Sequence, residues 1–258
     1  MLEWIARGLR KGIVTSRYPR TPEPAPEGFR GRVQLLDSDN GTPELADLCP
    51  TGAIGVDSAG SVSLDRGRCI LCGLCVAAAP ERFAFAAGYE TATRRRTSLV
   101  AGDPPPAGLE ELRKTLGEQT RTLKRSIHIR HVDAGSDGGE EWEVQALVNP
   151  YYDIQRLGFY FTLSPRHADI LLVSGAVTEP MREPLRRAWQ TLPEPKAVVA
   201  AGTDACSGGF AAATGATAGG VDQVIPVDVY VPGSPPSPIA LLHGLLLATG
   251  LLSREAAA

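Results

Sequence analysis

The chain has 258 residues, of which 43% are hydrophobic, and a formal net charge of -3 at neutral pH. This composition is typical of a globular protein, and it argues against a nucleic-acid binder, for which a basic surface is expected. The length is sufficient for two small domains that each bury a core.

The sequence predicts no membrane-spanning or targeting segment. A transmembrane helix needs a run of about 18 or more apolar residues, and the apolar stretch at residues 239–252 is shorter and contains His243. We therefore expect a buried terminal helix there. Residues 1–13 are interrupted by charged side chains, so we expect no signal peptide.

Residues 1–20 form an amphipathic stretch. Leu2, Ile5 and Leu9 recur at near-helical spacing beside Trp4, and five of the twenty residues are Arg or Lys. Two interpretations remain open: a helix packed on its own domain, or a segment lying against a membrane-facing partner or lipid headgroups.

Two hairpins are predicted in the first half. Residues 53–63 have the pattern of two short strands across a Ser-Ala-Gly turn, and residues 83–99 that of a second hairpin with Gly88 at its turn. The Pro-rich residues 21–33 are expected to be extended.

Three cysteines, Cys69, Cys72 and Cys75, stand in a C-x2-C-x2-C run within residues 66–80. This spacing lets three thiolates point from one loop at one iron–sulfur cube. The bacterial ferredoxin pattern continues with a fourth cysteine before a proline, and here Ala79 precedes Pro80. The ligand that completes the cube must therefore come from elsewhere.

Cys49, which is followed by a proline, is the obvious donor of the fourth thiolate. It resembles the end of a first motif whose own three cysteines are absent. The sequence thus predicts one [4Fe–4S] cluster and one empty cluster site, with the ligands Cys49, Cys69, Cys72 and Cys75. Five cysteines, four of them in this arrangement, favour a reducing cytoplasm over disulfides.

The second half alternates strand and helix patterns after a Pro-rich break at residues 102–106. Residues 108–124 predict a helix with acidic residues early and basic residues late, which suits the helix dipole. Apolar strands are predicted at residues 126–132, 170–174, 197–201 and 224–231, with helices at 179–190 and 238–252. This alternation predicts a parallel sheet covered on both faces, with ligands gathering at the carboxyl ends of its strands.

The loops at those carboxyl ends carry a family resemblance. The blocks are HVDAGS at 131–136, NPYYDIQRLG at 149–158, SPRHADILLVSG at 164–175, PEPKAVVAAG at 193–202, GGVDQVIPVDVYVPG at 219–233 and PPSP at 235–238. They resemble the small iron–sulfur subunit shared by respiratory complex I and membrane-bound, complex-I-like [NiFe] hydrogenases. The first half, with LRKGIVTSRYP at 9–19, resembles the ferredoxin-like subunit of the same complexes.

That small subunit holds a [4Fe–4S] cluster on four cysteines, and this chain lacks all four. By resemblance, Asp137, Glu140, Asp204 and Ser234 occupy their positions, and Cys206 falls two residues late. Oxygen donors do not hold such a cube, for which soft thiolates are needed. Two interpretations remain. In the first, these residues are a polar vestige. In the second they have a function, either as an oxygen site for a cation such as Mg²⁺ or Ca²⁺ or as a proton-handling carboxylate cluster. In a dry pocket at least one of the acids should have a raised pKa.

The resemblance implies an α+β ferredoxin-like domain followed by an α/β flavodoxin-like domain with a parallel sheet. The expected division is an N-terminal segment (1–30), the single-cluster domain (31–105), a helical linker (106–125) and the small-subunit-like domain without its cluster (126–258). Arg156, Arg166, His167 and residues 149–158 are expected to contact the large subunit.

The resemblance also implies a function. We expect an iron–sulfur subunit, non-catalytic alone, of a membrane-associated complex-I-like or group 4 hydrogenase-related oxidoreductase. Its partners would be a large subunit and membrane subunits, at the inner face of the cell membrane, with no nucleic acid. Because the one predicted cluster is flanked by two vacancies, the alternative is a structural or coupling subunit whose cluster is mainly structural.

Overall fold

The structure is a computed structural model that describes residues 2–101 and 126–255. The predicted domain boundary at 102–106, the predicted helix at 108–124 and the predicted linker at 106–125 all lie outside the described residues.

The first domain is built from short elements in two small antiparallel sheets. One sheet pairs β1 with β4, and the other has the order β2-β3-β5. The elements are the strands β1 (Arg32–Leu35), β2 (Ile54–Val56), β3 (Val62–Asp65), β4 (Phe83–Ala86) and β5 (Val100–Ala101), and the helices α2 (Pro43–Asp47) and α3 (Leu74–Ala78). An N-terminal helix, α1 (Leu2–Lys11), precedes them.

The structure confirms one predicted hairpin and contradicts the other. β2 and β3 pair antiparallel, with Ile54 opposite Leu64, as the pattern at 53–63 predicts. The hairpin at 83–99 is wrong, because β4 pairs with the distant β1 and residues Arg96–Leu99 form a 3₁₀ turn.

The second domain contains one five-stranded, fully parallel sheet of order β10-β9-β8-β6-β7. Its strands are β6 (Ile127–Asp133), β7 (Phe159–Phe161), β8 (Ile170–Ser174), β9 (Ala197–Ala201) and β10 (Val229–Val231). Its helices are α4 (Gly139–Ala146), α5 (Glu179–Thr191), α6 (Thr203–Ser207) and α7 (Pro238–Glu255). The predicted parallel sheet is confirmed, although the last strand begins only at Val229 and β7 was not predicted.

Both faces of this sheet are covered, which explains its continuous apolar strands. On β8, Ile170 and Leu172 face a core that includes α7, whereas Leu171 and Val173 face a core that includes Leu185 of α5. Because β6, β8, β9 and β10 are parallel, their carboxyl ends lie at one edge of the sheet. The loops that follow these strands lie together there.

The N-terminal helix α1 stands away from the rest of the described chain. Trp4 is 70% exposed, Leu9 82% and Ile13, just beyond the helix, 92%. This contradicts the interpretation in which the helix packs on its own domain. None of the described helices combines the length and the apolar character needed to cross a membrane.

The segment just before residue 101 joins the two domains. Thr93 exchanges backbone hydrogen bonds of 2.9 and 2.8 Å with Tyr230 of β10, and Leu99 is buried in a core of the second domain. Arg96 donates to both carboxylate oxygens of Asp65, at 2.8 and 2.6 Å, and to the backbone oxygen of Cys206 at 3.1 Å. One guanidinium therefore links β3 of the first domain to α6 of the second.

We expect Arg96→Ala to lower the free energy of unfolding by about 1–3 kcal/mol, since hydrogen bonds to charged groups are lost and Asp65 is left half-buried without its guanidinium. The neighbouring Arg95 is exposed, so Arg95→Ala should change the free energy by no more than about 0.5 kcal/mol. Thermal unfolding of the purified variants checks both. Equal midpoints for the two variants would contradict the linking role of Arg96.

Candidate metal centre

The structure brings the four predicted cysteine ligands together around one cavity. Cys49 follows α2, Cys69 follows β3, Cys72 lies in the next loop and Cys75 lies in α3. All four line a cavity of about 330 Å³ that is partly open to solvent. The hairpin β2–β3 produces this convergence because it returns the chain from Cys49 to Cys69.

The loop that carries three of these cysteines has an unusual backbone. Leu71 adopts φ 56° and Gly73 φ 84°, both in the left-handed region. The positive φ of Gly73 favours glycine, and a Cβ there would stand only 3.1 Å from the ring of Phe85, which would have to move slightly. The turn at Leu71 brings its backbone N–H to the Cys69 sulfur. The positive φ of Leu71 is thus explained by its place in a sulfur-binding loop.

Hydrogen bonds to the sulfur of Cys49 favour its thiolate form, which is the form that binds metal. The backbone N–H of Ala53 donates to its Sγ at 3.2 Å, and the Thr51 hydroxyl lies 3.5 Å away. Burial acts to raise the pKa of the Cys49 thiol, but these hydrogen bonds outweigh it, so the pKa is lowered. Thr51 is itself held by a 2.6 Å hydrogen bond to the backbone oxygen of Arg68, close to Cys69.

The other cysteines show that the four thiols lie close enough to act on one another. Burial raises the pKa of Cys69 to about 11, and the negative charges of Cys75, Cys49 and Cys72 add to this shift against the Leu71 hydrogen bond. Burial also raises the pKa of Cys75. Bound iron would reverse this tendency, because a coordinating thiol is deprotonated by the metal.

The donor set fits an iron–sulfur cube better than a single ion. Among the described residues, no group of three His, Cys, Asp or Glu side chains is arranged to hold one metal ion. A [4Fe–4S] cube has its irons at separate corners, so its four thiolates lie farther apart than the ligands of one ion. Four soft thiolates around one cavity match that requirement.

Ala79, which stands where a fourth cysteine of the run is expected, lies inside the core of the first domain. It is 6% exposed and packs in the same cluster as Phe83, Val33 and Cys75. The position is therefore filled by apolar packing.

The positions of the family's missing cysteines lie at the carboxyl edge of the parallel sheet. Asp137 is in the loop after β6, Glu140 in the first turn of α4 and Asp204 in α6. We call these three side chains the carboxylate pocket, because each acts electrostatically on at least one other. Ser234 is exposed in the loop after β10.

Glycines make room for the acids of this pocket. A Cβ on Gly202 would come within 2.3 Å of Glu140 Oε1, and one on Gly209 within 1.7 Å of Asp204 Oδ1. Both glycines have positive φ, of 95° and 53°. The Asp137 carboxylate accepts a 2.9 Å hydrogen bond from the backbone N–H of Gly139.

The pocket holds its acids in different environments. Glu140 is 3% exposed. Burial raises the pKa of Glu140 to about 7, and the charges of Asp204, Asp137 and Glu141 add to the shift against a backbone hydrogen bond. Burial and the charge of Asp137 also raise the pKa of Asp204. The expectation that at least one acid has a raised pKa is met in the structure.

Cys206 cannot join the cysteine cavity or replace a missing thiolate. It is 1% exposed, packs in a core of the second domain and has its Sγ 3.9 Å from the backbone oxygen of Ala200. Burial raises the pKa of its thiol to about 12. It is a buried, structural cysteine.

The cysteine cavity and the carboxylate pocket are neighbours. The Thr203 hydroxyl, between Gly202 and Asp204, donates a 3.0 Å hydrogen bond to the backbone oxygen of Cys69. A second cavity, of about 320 Å³, is lined from one domain by Cys69 and Leu71 and from the other by Pro232 and Gly233. The cysteine loop therefore faces the loops in which the family carries its own cluster.

A polar network that the sequence did not predict lies beside the carboxylate pocket. His131 Nε2 lies 2.9 Å from the hydroxyl of the fully buried Ser174, which donates to Glu141 Oε1. Burial lowers the pKa of His131. The available signal was the polar residue at the end of the otherwise apolar strand β8.

The residues expected at the large subunit divide in two groups. Arg156 is exposed, yet its guanidinium donates a 2.6 Å hydrogen bond to the backbone oxygen of Tyr18 within this chain. Arg166 and His167 are exposed in a 3₁₀ turn before β8. Their contact with a large subunit stays a prediction.

Two family models match the chain. Residues 138–248 match the NADH ubiquinone oxidoreductase, 20 Kd subunit family. Residues 62–111 match the 4Fe-4S single cluster domain, a range that contains Cys69, Cys72 and Cys75 but not Cys49.

Several curated proteins are similar to the chain. Formate hydrogenlyase subunit 7 of Escherichia coli is 42% identical over 60% of this chain, which spans 61% of that subunit. The probable membrane-bound hydrogenase subunit mbhJ of Pyrococcus furiosus is 39% identical over 56% of this chain and 87% of its own length. The uncharacterized protein MJ0516 of Methanocaldococcus jannaschii is 46% identical over 48% of this chain and 82% of its own length.

Among solved structures, the membrane-bound sulfane sulfur reductase, an archaeal respiratory membrane complex, contains a chain that is 29% identical, with a TM-score of 0.41 over 52% of this chain and 72% of that one. The sequence matches to the family and to its members agree with the resemblance in the second half. The chain therefore belongs to the NADH ubiquinone oxidoreductase 20 kDa subunit family, with a 4Fe-4S single cluster domain preceding that part.

Proposed function

We propose that the chain is the iron–sulfur subunit of a membrane-associated, complex-I-like or group 4 hydrogenase-related oxidoreductase, and that it carries one [4Fe–4S] cluster for electron transfer. The observation that carries the proposal is the convergence of Cys49, Cys69, Cys72 and Cys75 on one cavity of the first domain. When bound, the cluster supplies one-electron transfer.

In this proposal the four cysteines hold the irons, and backbone groups around them tune the site. The N–H groups of Ala53 and Leu71 donate to the sulfurs of Cys49 and Cys69. Hydrogen bonds to ligand sulfurs are one of the determinants of a cluster's reduction potential. Arg30, which lies 4.8 Å from the centre of the Phe85 ring, approaches the backbone oxygens of Leu71 and Cys72 at 3.4 and 3.5 Å, and so keeps the loop in place.

The proposal of a single cluster rests on what fills the other two positions. Ala79 lies in apolar packing, and by resemblance the positions of the family's four cluster cysteines in the second domain are taken by Asp137, Glu140, Asp204 and Ser234. Neither position offers the thiolates that a cube requires.

We further infer that the second domain is flavodoxin-like. Numbered within the domain, its strands have the spatial order 2-1-3-4-5, which is the order of flavodoxin-like folds. A relative named as a probable membrane-bound hydrogenase subunit supports a place for the chain among the subunits of a membrane complex. We propose that its partners there are of the large-subunit and membrane-subunit types, at the inner face of the cell membrane. The exposed apolar side chains of α1, beside its basic residues, would face that side of the assembly.

A second candidate function is structural. The cluster would cross-link the loops of the first domain, as structural metals do, within a coupling subunit. The absence of thiolates at Ala79 and in the carboxylate pocket favours it, because a cluster with no neighbour in this chain is poorly placed for relaying electrons through it.

The iron and sulfide content of the chain tests the number of clusters and their ligands. Anaerobically purified chain should contain about four irons and four sulfides, as one [4Fe–4S] cluster requires. Cys72→Ala should lose most of both, because a thiolate ligand is removed. Iron and acid-labile sulfide assays of each protein provide the measurement.

Cys206→Ala is the matched control, since Cys206 is a buried cysteine outside the cavity. It should keep the wild-type iron and sulfide. About eight irons in the wild-type chain, or equal iron loss in the two variants, would overturn the single-cluster proposal.

A measurement during turnover separates an electron-transferring cluster from a structural one. In the assembled complex, an electron-transferring cluster should change oxidation state during turnover. Electron paramagnetic resonance of samples frozen at successive times monitors this change. A signal that titrates with dithionite but stays constant in turnover favours the structural function. In that case Cys72→Ala should also prevent assembly, whereas an assembled complex that lacks only the cluster would count against it.

A further inference from the structure

Glu140 is a buried carboxyl group that neither function of the cluster uses. Its side chain is 3% exposed, and Oε2 has no hydrogen-bond partner among the described residues. Such a group is costly when it is ionised, because burial removes the water that stabilises the charge and a backbone hydrogen bond offsets only part of that loss.

The groups around Glu140 increase that cost. Asp204 from α6, Asp137 from the preceding loop and Glu141 from α4 itself all act on Glu140 with negative charge and raise its pKa. On the remaining side the carboxyl lies against the backbone of Gly202, where a Cβ would reach to 2.3 Å of Oε1. The site thus presents negative potential to one carboxyl group that lies close against the backbone of Gly202.

We propose that the carboxylate pocket is a proton-binding site, in which the Glu140 carboxyl binds and releases one proton and Asp204 and Asp137 supply the negative potential that holds it. The proton takes the place of a cation beside three acids. The proposal does not depend on the cluster, because it rests on the second domain alone.

A metal ion is the competing occupant, and the structure disfavours it. Among the residues described, no three carboxylates are arranged as ligands of one ion, and Asp137 already accepts the N–H of Gly139. A proton needs only one oxygen, and Oε2 of Glu140 supplies it.

The consequence for pH dependence follows from the direction of the shift. Burial and the neighbouring acids raise the pKa of Glu140 from 4.5 to about 7. The folded chain therefore binds more protons than the unfolded chain between these values, so the penalty from this group is absent below pH 4.5, grows as pH rises and is complete above about 7.

Infrared spectroscopy of the full chain, with ¹³C in its glutamate carboxyl groups, tests the proposal. A glutamic acid carbonyl band should persist at pH 6 and disappear with a midpoint near 7. Glu140→Gln should remove this band, and Asp204→Asn should lower its midpoint, because a negative charge is lost. Glu81→Gln, at an exposed position, is the control and should leave the band unchanged.

Thermal unfolding between pH 4.5 and 8 gives a second readout. The stability of Glu140→Gln relative to wild type should increase with pH over this range. A wild-type band that is lost near pH 4.5, or a band that survives in Glu140→Gln, would overturn the proposal. Added Mg²⁺ or Ca²⁺ that displaces the proton at micromolar concentration would also overturn it in favour of a cation site.

Discussion

The requirement that four thiols reach one cavity determines the architecture of the first domain. Along the sequence, Cys49 precedes the hairpin β2–β3 and Cys69 follows it. The pairing of Ile54 with Leu64 in this hairpin turns the chain back, so that both cysteines line the same cavity. The hydrogen bond from the Asp65 N–H to the Ala53 oxygen closes this hairpin at 2.7 Å, and the Ala53 N–H in turn donates to the Cys49 sulfur. The backbone hydrogen bonds of the small sheet are therefore continuous with the hydrogen bond to the Cys49 sulfur and form one unit with it. The position of this sulfur in the candidate metal centre consequently depends on the register of β2 and β3.

The same unit fixes the second domain relative to the first. Asp65, at the end of β3, accepts the guanidinium of Arg96, which also donates to the backbone of Cys206. Thr203, three residues earlier, bonds to the backbone of Cys69. Two polar connections thus run from the stretch between Asp65 and Cys69 to α6. One passes through the charged pair of Asp65 with Arg96, and the other is a neutral hydrogen bond from Thr203. Any change of backbone around the cysteines would be felt at the carboxyl edge of the parallel sheet.

The sequence predicted those features that local patterns determine. The strand β8, apolar except for its last residue Ser174, could be placed from its composition, and the three spaced cysteines from their interval. The pairing of β1 with β4 could not, because about fifty residues separate them and nothing local specifies the partner. Helix α4 was also missed: its apolar residues lack a strong helical period, and it is held by packing. Cys49 is predicted as the fourth ligand because position 79 lacks a cysteine, and only the three-dimensional structure shows that it lines the same cavity as the other three.

By resemblance, the carboxylate pocket has acids at positions where the family has the thiolates of a cluster. Thiolates at a cube share the positive charge of the irons, so removal of the cluster leaves buried negative groups without compensation. An exposed residue such as Asp137 regains water, and the half-buried Asp204 regains part of it. Glu140 cannot, because Gly202 and α4 enclose it. Burial as a neutral acid costs far less than burial as an ion, so a proton is the smallest compensating charge that restores balance. The acid that is buried most deeply is therefore also the one whose protonation couples to the surrounding charges.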